Sequence, residues 1–222
     1  MGLDVVKQKL LSGLYAITDD VLISEQNLLS ACEQALIGGA SVLQYRSKTN
    51  IDQPTSFAKR RRTAVGLREL CHRYNALLII NDDLDLCQAA DADGVHIGQH
   101  DLQLSEARHR LGRDAVIGVT CHNNDQLVAT AEKHGADYVA LGRFFDSKTK
   151  PGASKAYIED LIRIRQQTLL PIVVIGGVTG DNAKLLIDAG ADMIAAIHYI
   201  FSSDEIAARA SILSSLFAQK RN

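Results

Sequence analysis

Three side chains at alternate positions, Gln44, Arg46 and Lys48, offer an amide, a guanidinium and an ammonium group. They belong to or follow the apolar run 42–45, which predicts a short β-strand. Since alternate residues of a strand point to the same side, the three groups converge where the predicted strand ends. Such a set binds a dense anion such as pyrophosphate. The alternative is a solvated strand end.

Carboxylates follow two further predicted strands. Asp82 and Asp83 come directly after Asn81 and the apolar run 77–80, and Asp101 follows the run 94–97. Mg²⁺ takes one or two carboxylates together with phosphate oxygens of a substrate, so Asp82 and Asp101 are candidate ligands. Asp83 is better interpreted as the cap of the next helix.

Histidines and cysteines offer two other kinds of site, and both are disfavoured. His96, His100 and His122 fall near predicted strand ends, but their spacing fits no zinc pattern. Cys121 beside His122 resembles a nucleophile with its base, yet sequence neighbours on a strand seldom face each other. The four cysteines include no C-x-x-C pair, which indicates a reducing compartment.

A second candidate anion site lies later in the chain. The loop 146–152 offers two hydroxyls and two ammonium groups, those of Ser147, Lys148, Thr149 and Lys150. A loop of this composition is suited to holding a phosphate. A glycine pair that includes Gly177 follows the predicted strand 172–175. A backbone can approach a ligand closely there. The sequence therefore predicts two anionic groups, one near Arg46 and Lys48 and the other near Gly177.

The elements that must position these residues form a regular alternation of strands and helices. Eight short apolar runs alternate with amphipathic segments: 14–17, 42–45, 77–80, 94–97, 115–119, 138–141, 172–175 and 193–197. Eight such units predict an α/β fold, a (β/α)8 TIM barrel occupying 1–222 as a single domain with its core at about 12–218. The chemistry of such barrels lies at the carboxyl ends of the strands.

A finer repeat supports the barrel. Similar tripeptides precede the even-numbered strands: Gly39-Ala40-Ser41, Ala92-Asp93-Gly94, Gly135-Ala136-Asp137 and Gly190-Ala191-Asp192. The recurrence indicates that a unit of two strands and two helices is repeated around a closed ring. The rival, a doubly wound open sheet, would favour a G-x-G-x-x-G turn after the first strand, and the sequence has none there.

Composition limits the partners. The chain has 222 residues, with 24 basic and 26 acidic side chains and a formal net charge of −2. This balance predicts no nucleic-acid and no membrane-surface partner, both of which favour a basic excess. No apolar run approaches the roughly 20 residues of a membrane span, and the first residues do not resemble a signal peptide. We expect a cytoplasmic protein that acts on small molecules; the sequence leaves a homo-oligomer open.

Taken in order, the motifs resemble those of the thiamine-phosphate synthase family. The matching segments span nearly the whole chain: LYAITD at 14–19, QYRSK at 44–48, INDD at 80–83, VHIGQHD at 95–101, S-x-TK at 147–150 and IGG at 175–177. Each motif alone is weak, but their order at predicted strand ends is specific. The resemblance implies an enzyme, a transferase that joins a pyrimidine diphosphate to a thiazole phosphate and releases pyrophosphate.

The resemblance also implies roles for individual residues. It implies that the pyrimidine diphosphate is held by Gln44, Tyr45, Arg46, Ser47, Lys48, Asn81, Thr120 and Lys150, of which Arg46, Lys48 and Lys150 are catalytic. It implies that the thiazole phosphate is held by Ser147, Lys148, Thr149, Gly177, Ile197 and His198. Asp82 and Asp101 would bind Mg²⁺ as the cofactor. The chain departs from the family at His198, where a serine is common, and at Ser147, where the family loop often has threonine.

Other functions compete with this interpretation. A thiazole tautomerase, a paralogue of the same fold, would use His122 as its general acid and base. The diphosphate-binding set that includes Arg46 and Lys48 argues against it. A non-catalytic barrel that binds a phosphorylated metabolite would not require the carboxylates Asp82 and Asp101. An isomerase of sugar phosphates would need a catalytic base that these motifs do not identify.

Overall fold

The computed structural model describes residues 5–48, 56–98, 104–146 and 155–218. Its strands are β1 Gly13–Ile17, β2 Ala40–Tyr45, β3 Leu77–Asn81, β4 Gly94–Ile97, β5 Val116–His122, β6 Tyr138–Gly142, β7 Ile172–Ile175 and β8 Met193–Ala196. All are parallel and pair in sequence order, and β1 pairs with both β2 and β8, so that the sheet closes into a barrel. The predicted TIM barrel is confirmed.

Helices cover the outside of the barrel. They are α1 Val5–Leu10, α2 Leu28–Ile37, α3 Ser56–Arg73, α4 Leu84–Ala90, α5 Leu104–Leu111, α6 Asp125–Lys133, α7 Ile158–Arg165, α8 Ala183–Asp188, α9 His198–Phe201 and α10 Ile206–Ala218. A turn of 3₁₀-helix at Glu25–Asn27 precedes α2. In the part of the chain that the structure describes, no helix has the length and apolar character needed to cross a bilayer.

Buried side chains form two layers, because alternate residues of each strand face opposite sides of the sheet. Inside the barrel, Tyr15, Val42, Ile79, Tyr138 and Met193 belong to one cluster. Between the strands and the helices lies a larger apolar cluster, built from the outward-facing strand residues and the inner helix faces. The strands are therefore buried on both faces, which explains why they read as continuous apolar runs.

Side chains cap two of the helices, and the cap at Asp83 was predicted. The side chain of Asp83 accepts a hydrogen bond of 2.8 Å from the backbone N–H of Leu86 at the start of α4, as predicted. The same residue also pairs with Arg60 of α3 at 2.6 Å. Asn124 caps α6 by accepting hydrogen bonds from two backbone N–H groups. Each cap satisfies donors that the first helical turn leaves unpaired.

The tripeptide repeat forms a set of clamps at the amino-terminal end of the barrel. The aspartate before each of β4, β6 and β8 accepts a hydrogen bond from a backbone N–H near the start of the preceding strand. The three bonds are Leu78 to Asp93 at 2.9 Å, Ile117 to Asp137 at 2.7 Å and Ile172 to Asp192 at 2.9 Å. Each carboxylate also pairs with a basic side chain: His72 and Lys7, Arg108, and Arg165 respectively. The repeat therefore stabilises the fold on the side away from the strand ends.

One strand differs from its prediction. The apolar run predicted a strand over 115–119, whereas β5 continues to His122. Thr120 pairs with Ala140, and His122 pairs with Leu141 across an irregularity in the register. Hydrogen bonding to β6 thus extends the strand through polar residues that no hydrophobic pattern marks. Thr120 consequently lies on the strand itself rather than in a loop.

Candidate active site

A cavity of about 800 Å³ opens at the carboxyl ends of the strands. Nine of the residues named from the sequence line it: Gln44, Arg46, Lys48, Asn81, Asp82, Thr120, Gly177, Ile197 and His198. They come from five strands, β2, β3, β5, β7 and β8, or from the segments directly after them. The barrel therefore brings together side chains that are up to 154 positions apart in sequence, from Gln44 to His198.

The other predicted site residues fall outside the described residues or do not line the cavity. Asp101, Ser147, Lys148, Thr149 and Lys150 fall outside the described residues. Tyr45 is 5% exposed and packs in the layer between the strands and the helices, on the face of β2 opposite to Gln44. Burial raises the pKa of its hydroxyl. Neither Tyr45 nor Ser47 is among the described residues that line the cavity.

The ends of β2 and β3 meet in a compact polar group. Nζ of Lys48 lies 2.6 Å from Oδ2 of Asp82. The same carboxylate oxygen accepts a hydrogen bond of 2.5 Å from Nδ2 of Asn81. Asp82 adopts a left-handed conformation with φ of 63°, which turns the chain at the end of β3. A cation, an amide and a carboxylate thus face the same region of the cavity.

The segment after β1 supports the end of β2. The guanidinium of Arg46 donates to Oδ2 of Asp19 at 3.0 Å, and the backbone N–H of Arg46 donates to Oγ1 of Thr18 at 2.9 Å. Asp20 accepts a hydrogen bond of 2.7 Å from the backbone N–H of Lys48. These contacts hold the Arg46 guanidinium and the backbone that carries Lys48. This role was not predicted from the sequence, although polar residues directly after the first strand were a visible signal.

Glycines at the end of β7 let the segment after β6 approach closely. Gly177 has a φ of 62°, and a Cβ there would overlap the backbone carbonyl oxygen of Asp146. Gly176 has a φ of 107° and similarly leaves no room for a side chain beside Arg143. Both glycines line the cavity. Arg143 lines it too and pairs with Asp146 at 3.0 Å, so the chain has a cavity cation that the sequence analysis did not identify.

The region after β8 forms the part of the cavity wall near Gly177. His198 begins the short helix α9, and its Nδ1 lies 3.0 Å from Oγ of Ser202. Arg209 of α10 stacks over the ring of Tyr199 at 4.9 Å, and both residues line the cavity. The wall near Gly177 therefore contains an imidazole, two hydroxyl-bearing side chains and a guanidinium. Arg209 was not predicted, because it lies on a helix rather than at a strand end.

Cys121 and His122 face opposite sides of β5. Cys121 is buried in the outer apolar layer, where burial raises the pKa of its thiol to about 12. His122 has a φ of 56° and lines the cavity. The two residues therefore do not form a nucleophile and base pair, as the alternation of the strand predicted.

Comparison with known proteins bears on what this site does. The family model described as thiamine monophosphate synthase matches residues 14–200. A thiamine-phosphate synthase of Alcanivorax borkumensis is 49% identical over 96% of this chain and 97% of its own length. One from Thioalkalivibrio sulfidiphilus is 44% identical over 93% of this chain and 96% of its own.

The chain belongs to the thiamine monophosphate synthase family. Among solved structures, thiamine phosphate pyrophosphorylase from Pyrococcus furiosus superposes with a TM-score of 0.85 at 30% identity, covering 96% of this chain and 98% of that one. As a member of the thiamine monophosphate synthase family, the chain is an enzyme, a transferase of the thiamine-phosphate synthase type. The resemblance noted in the sequence motifs is confirmed.

The residues of this family member offer an incomplete metal site. Within the described ranges, no cluster of three or more histidine, cysteine, aspartate or glutamate side chains is arranged to hold a metal ion. Asp82 supplies one carboxylate on the cavity wall beside Lys48 and Asn81. Mg²⁺ commonly binds through one or two carboxylates with the remaining positions taken by water and substrate phosphate. The donor set therefore fits a magnesium ion that arrives with a phosphorylated substrate.

Proposed function

We propose that the enzyme condenses 4-amino-2-methyl-5-(diphosphooxymethyl)pyrimidine with a thiazole ethyl phosphate to give thiamine monophosphate and pyrophosphate. The observation that carries the proposal is the meeting of Gln44, Arg46 and Lys48 from β2 with Asn81 and Asp82 from β3 in one cavity wall. Two amides, two cations and a carboxylate match a heterocycle that carries a diphosphate.

The second substrate would bind near the other wall. Gly177, Ile197 and His198 line the cavity there. A thiazole phosphate in this position would have its phosphate beside the start of α9. The roles proposed for Ser147, Thr149, Lys148 and Lys150 follow from the family resemblance alone. The cavity volume of about 800 Å³ suits two small substrates bound together.

Mg²⁺ is part of the proposal. Asp82, together with Asp101 by resemblance, would hold the ion against the diphosphate. When bound, Mg²⁺ would neutralise charge on the diphosphate oxygens. Lys48 contributes in two ways, because its ammonium group holds the Asp82 carboxylate in place and faces the same diphosphate. We infer that Asn81 keeps the carboxylate oriented through its 2.5 Å hydrogen bond.

The proposed reaction is dissociative. The bond between the pyrimidine methylene carbon and the diphosphate oxygen breaks, and its electron pair leaves with pyrophosphate. The 4-amino group donates electron density to the resulting cation, and the thiazole nitrogen then forms the new C–N bond. The protein supplies no nucleophile and no strong base. Arg46 and Lys48 neutralise the leaving group, and the cavity walls align the two substrates.

One assay tests the proposal. The enzyme is supplied with both substrates and Mg²⁺, and pyrophosphate and thiamine monophosphate are measured together. We expect the two products in equal amounts. Thiazole isomerisation without pyrophosphate release would instead support the tautomerase. Tight substrate binding without any turnover would support the non-catalytic barrel.

A second assay tests the dissociative step by itself. The pyrimidine diphosphate is prepared with ¹⁸O in the bridge between the methylene carbon and phosphorus. Without the thiazole phosphate, reversible loss of pyrophosphate would move the label into non-bridging positions of the recovered substrate. A label that stays in the bridge while the complete reaction proceeds would contradict a dissociative mechanism.

A further inference from the structure

Five polar side chains form a continuous hydrogen-bonded chain across the barrel interior. Nε2 of Gln44 donates to the hydroxyl of Tyr15 at 2.8 Å, and the hydroxyls of Tyr15 and Tyr138 lie 2.8 Å apart. The Tyr138 hydroxyl lies 3.0 Å from Nδ1 of His96, and Nε2 of His96 lies 2.8 Å from Oγ1 of Thr120. The interior chain, as we call these five residues, thus connects β2, β1, β6, β4 and β5.

The middle of the interior chain lies beneath the cavity floor. Gln44, Tyr15, His96 and Thr120 line the cavity, whereas Tyr138 is 0% exposed and lies below it. The Tyr138 ring stacks on His96 with centroids 5.6 Å apart and meets the edge of Tyr15 at 5.9 Å. Burial raises the pKa of both phenols, so each keeps its proton at neutral pH. Tyr138, which does not line the cavity, therefore joins side chains that do.

The hydrogen bonds of the interior chain can share one direction. An amide nitrogen only donates, so the Tyr15 oxygen accepts from Gln44. At each of the three remaining contacts either atom can be the donor. When every member accepts one bond and donates the next, Tyr15 donates to Tyr138, Tyr138 donates to Nδ1 of His96, and Nε2 of His96 donates to Thr120. The direction set at Gln44 would then be transmitted to the histidine tautomer.

We infer that Tyr15, Tyr138 and His96 are positioning residues that make the cavity selective for an amino-substituted over an oxo-substituted pyrimidine. The inference rests on the proposed function for its substrate. With one N–H of Gln44 bonded to Tyr15, the amide oxygen is the acceptor that Gln44 can offer to a ligand. An oxygen acceptor pairs with an exocyclic amine, which donates, and opposes an exocyclic carbonyl, which accepts.

The interior chain opposes a flip of the Gln44 amide, which would exchange its oxygen and nitrogen. If the Gln44 amide turned over, its oxygen would require a proton from Tyr15, Tyr15 would require one from Tyr138, and Tyr138 would require one from Nδ1 of His96. Every bond would have to reverse together with the histidine tautomer. A partial reversal would leave a buried donor or acceptor unpaired, which is costly. The oxo analogue is therefore rejected by the whole interior chain rather than by Gln44 alone.

The first test examines the protein without substrate. Nitrogen NMR of ¹⁵N-histidine-labelled protein reports which ring nitrogen of His96 is protonated, and His96→Gln assigns the signal. We expect the Nε2-protonated tautomer in the wild type. Gln44→Glu replaces the amide N–H that donates to Tyr15 with a carboxylate oxygen that accepts. The bonds along the interior chain should then reverse, so we expect His96 to be protonated on Nδ1. Gln34→Glu, on the exposed face of α2, is the matched control and leaves His96 unchanged.

The second test measures selectivity. Tyr138→Phe keeps the buried ring and removes the hydroxyl that links the two halves of the interior chain. We expect the ratio of kcat/KM for the amino over the oxo pyrimidine diphosphate to fall by about 10-fold or more, the scale of one buried polar pairing. KM for the thiazole phosphate stays unchanged. Tyr74→Phe, which removes an exposed hydroxyl from outside the barrel, leaves the ratio intact.

Each outcome decides the inference. The same His96 tautomer in the wild type and in Gln44→Glu would overturn it, as would an unchanged selectivity ratio in Tyr138→Phe. If Gln44→Glu does not fold, the selectivity ratio in Tyr138→Phe decides the inference by itself. A wild type without synthase activity would refute the proposed function, and the tautomer measurement, made on the protein alone, would then decide the inference about the interior chain.

Discussion

Nζ of Lys48 lies 2.6 Å from Oδ2 of Asp82, which joins the end of β2 to the end of β3 on the cavity wall. Lys48 is 47% exposed, so water screens the pair and its contribution to folding is small. The pair is better explained by the proposed ligand. The diphosphate would bind the lysine, and the Mg²⁺ ion that accompanies it would bind the carboxylate. Both partners are therefore expected to matter more for activity than for stability.

Lys48→Ala should lower kcat/KM for the pyrimidine diphosphate by about 10²-fold, the scale for loss of one preorganised charge-stabilising group. The midpoint of urea unfolding should change little. Lys184→Ala removes a lysine that pairs with Asp188 on the exposed face of α8, and it is the matched control. Steady-state kinetics and circular dichroism check both variants. Equal kinetics for Lys48→Ala and the wild type would contradict the role of the cation.

Asp82→Asn should raise the Mg²⁺ concentration that gives half-maximal activity. The amide keeps the shape of the side chain but loses the charge that a hard cation favours. Removal of divalent ions with EDTA should abolish turnover of the wild type, and added Mg²⁺ should restore it. Asp188→Asn, outside the barrel, should keep the wild-type Mg²⁺ dependence. An activity that survives EDTA in full would contradict the magnesium proposal.

Asp137 and Arg108 form the clamp before β6, at the end of the barrel away from the cavity. The Asp137 carboxylate accepts from the Ile117 backbone N–H at 2.7 Å and from Arg108 at 2.6 Å. Asp137→Asn should lower the free energy of unfolding by about 1–3 kcal/mol, because the charged hydrogen bonds are lost in a partly buried place. Urea denaturation measures it. Kinetic constants of the folded variant should be unchanged, and a large loss of kcat would contradict a purely structural clamp.

The sequence predicted the residues at strand ends but not those deeper in the barrel. Alternation along β2 and the polar residues after β3 were enough to place Gln44, Arg46 and Asn81 at the cavity. Tyr15 and Tyr138 sit within apolar runs and look like core residues. Whether an inward-facing residue meets the one across the barrel depends on the register of all the strands, which no local pattern contains.

The clamps show that a pattern can be visible in the sequence while its structural role is not. The repeat that contains Asp93, Asp137 and Asp192 was visible in the sequence and correctly indicated a repeated strand–helix unit. Its physical role depends on backbone N–H groups of the preceding strands, which only the closed sheet brings into reach. For Tyr45 the prediction and the structure differ. The family motif placed it among the binding residues, whereas the pleat of β2 turns it away from the cavity.

The four cysteines should be unreactive in the folded enzyme. All are free and buried, and burial raises the pKa of Cys87 and of Cys121 to about 12 and that of Cys32 and Cys71 as well. Thiolate is the reactive form, so a thiol reagent such as DTNB should label none of them at pH 8. Four thiols should react after unfolding in guanidinium chloride. Fast labelling of one thiol in the native enzyme would contradict this burial.

Two glycine-to-alanine substitutions should change stability in opposite directions. Gly118 of β5 faces the barrel interior, where a Cβ would overlap the Tyr138 ring. Gly118→Ala should therefore destabilise by about 1–3 kcal/mol, as overpacked cores do. Gly66 lies inside α3, and a Cβ there would meet Leu29 at an ordinary 3.5 Å. Gly66→Ala should stabilise by about 0.5–1 kcal/mol, because alanine favours the helix.

Urea denaturation followed by circular dichroism measures both changes on the same scale. Gly118→Ala should also reduce selectivity for the aminopyrimidine, because the displaced Tyr138 ring can no longer hold the hydroxyls of Tyr15 and Tyr138 at 2.8 Å. Gly66→Ala should retain wild-type selectivity, since it lies outside the barrel. A Gly118→Ala protein as stable as the wild type would show that the Tyr138 ring does not pack against β5 as described.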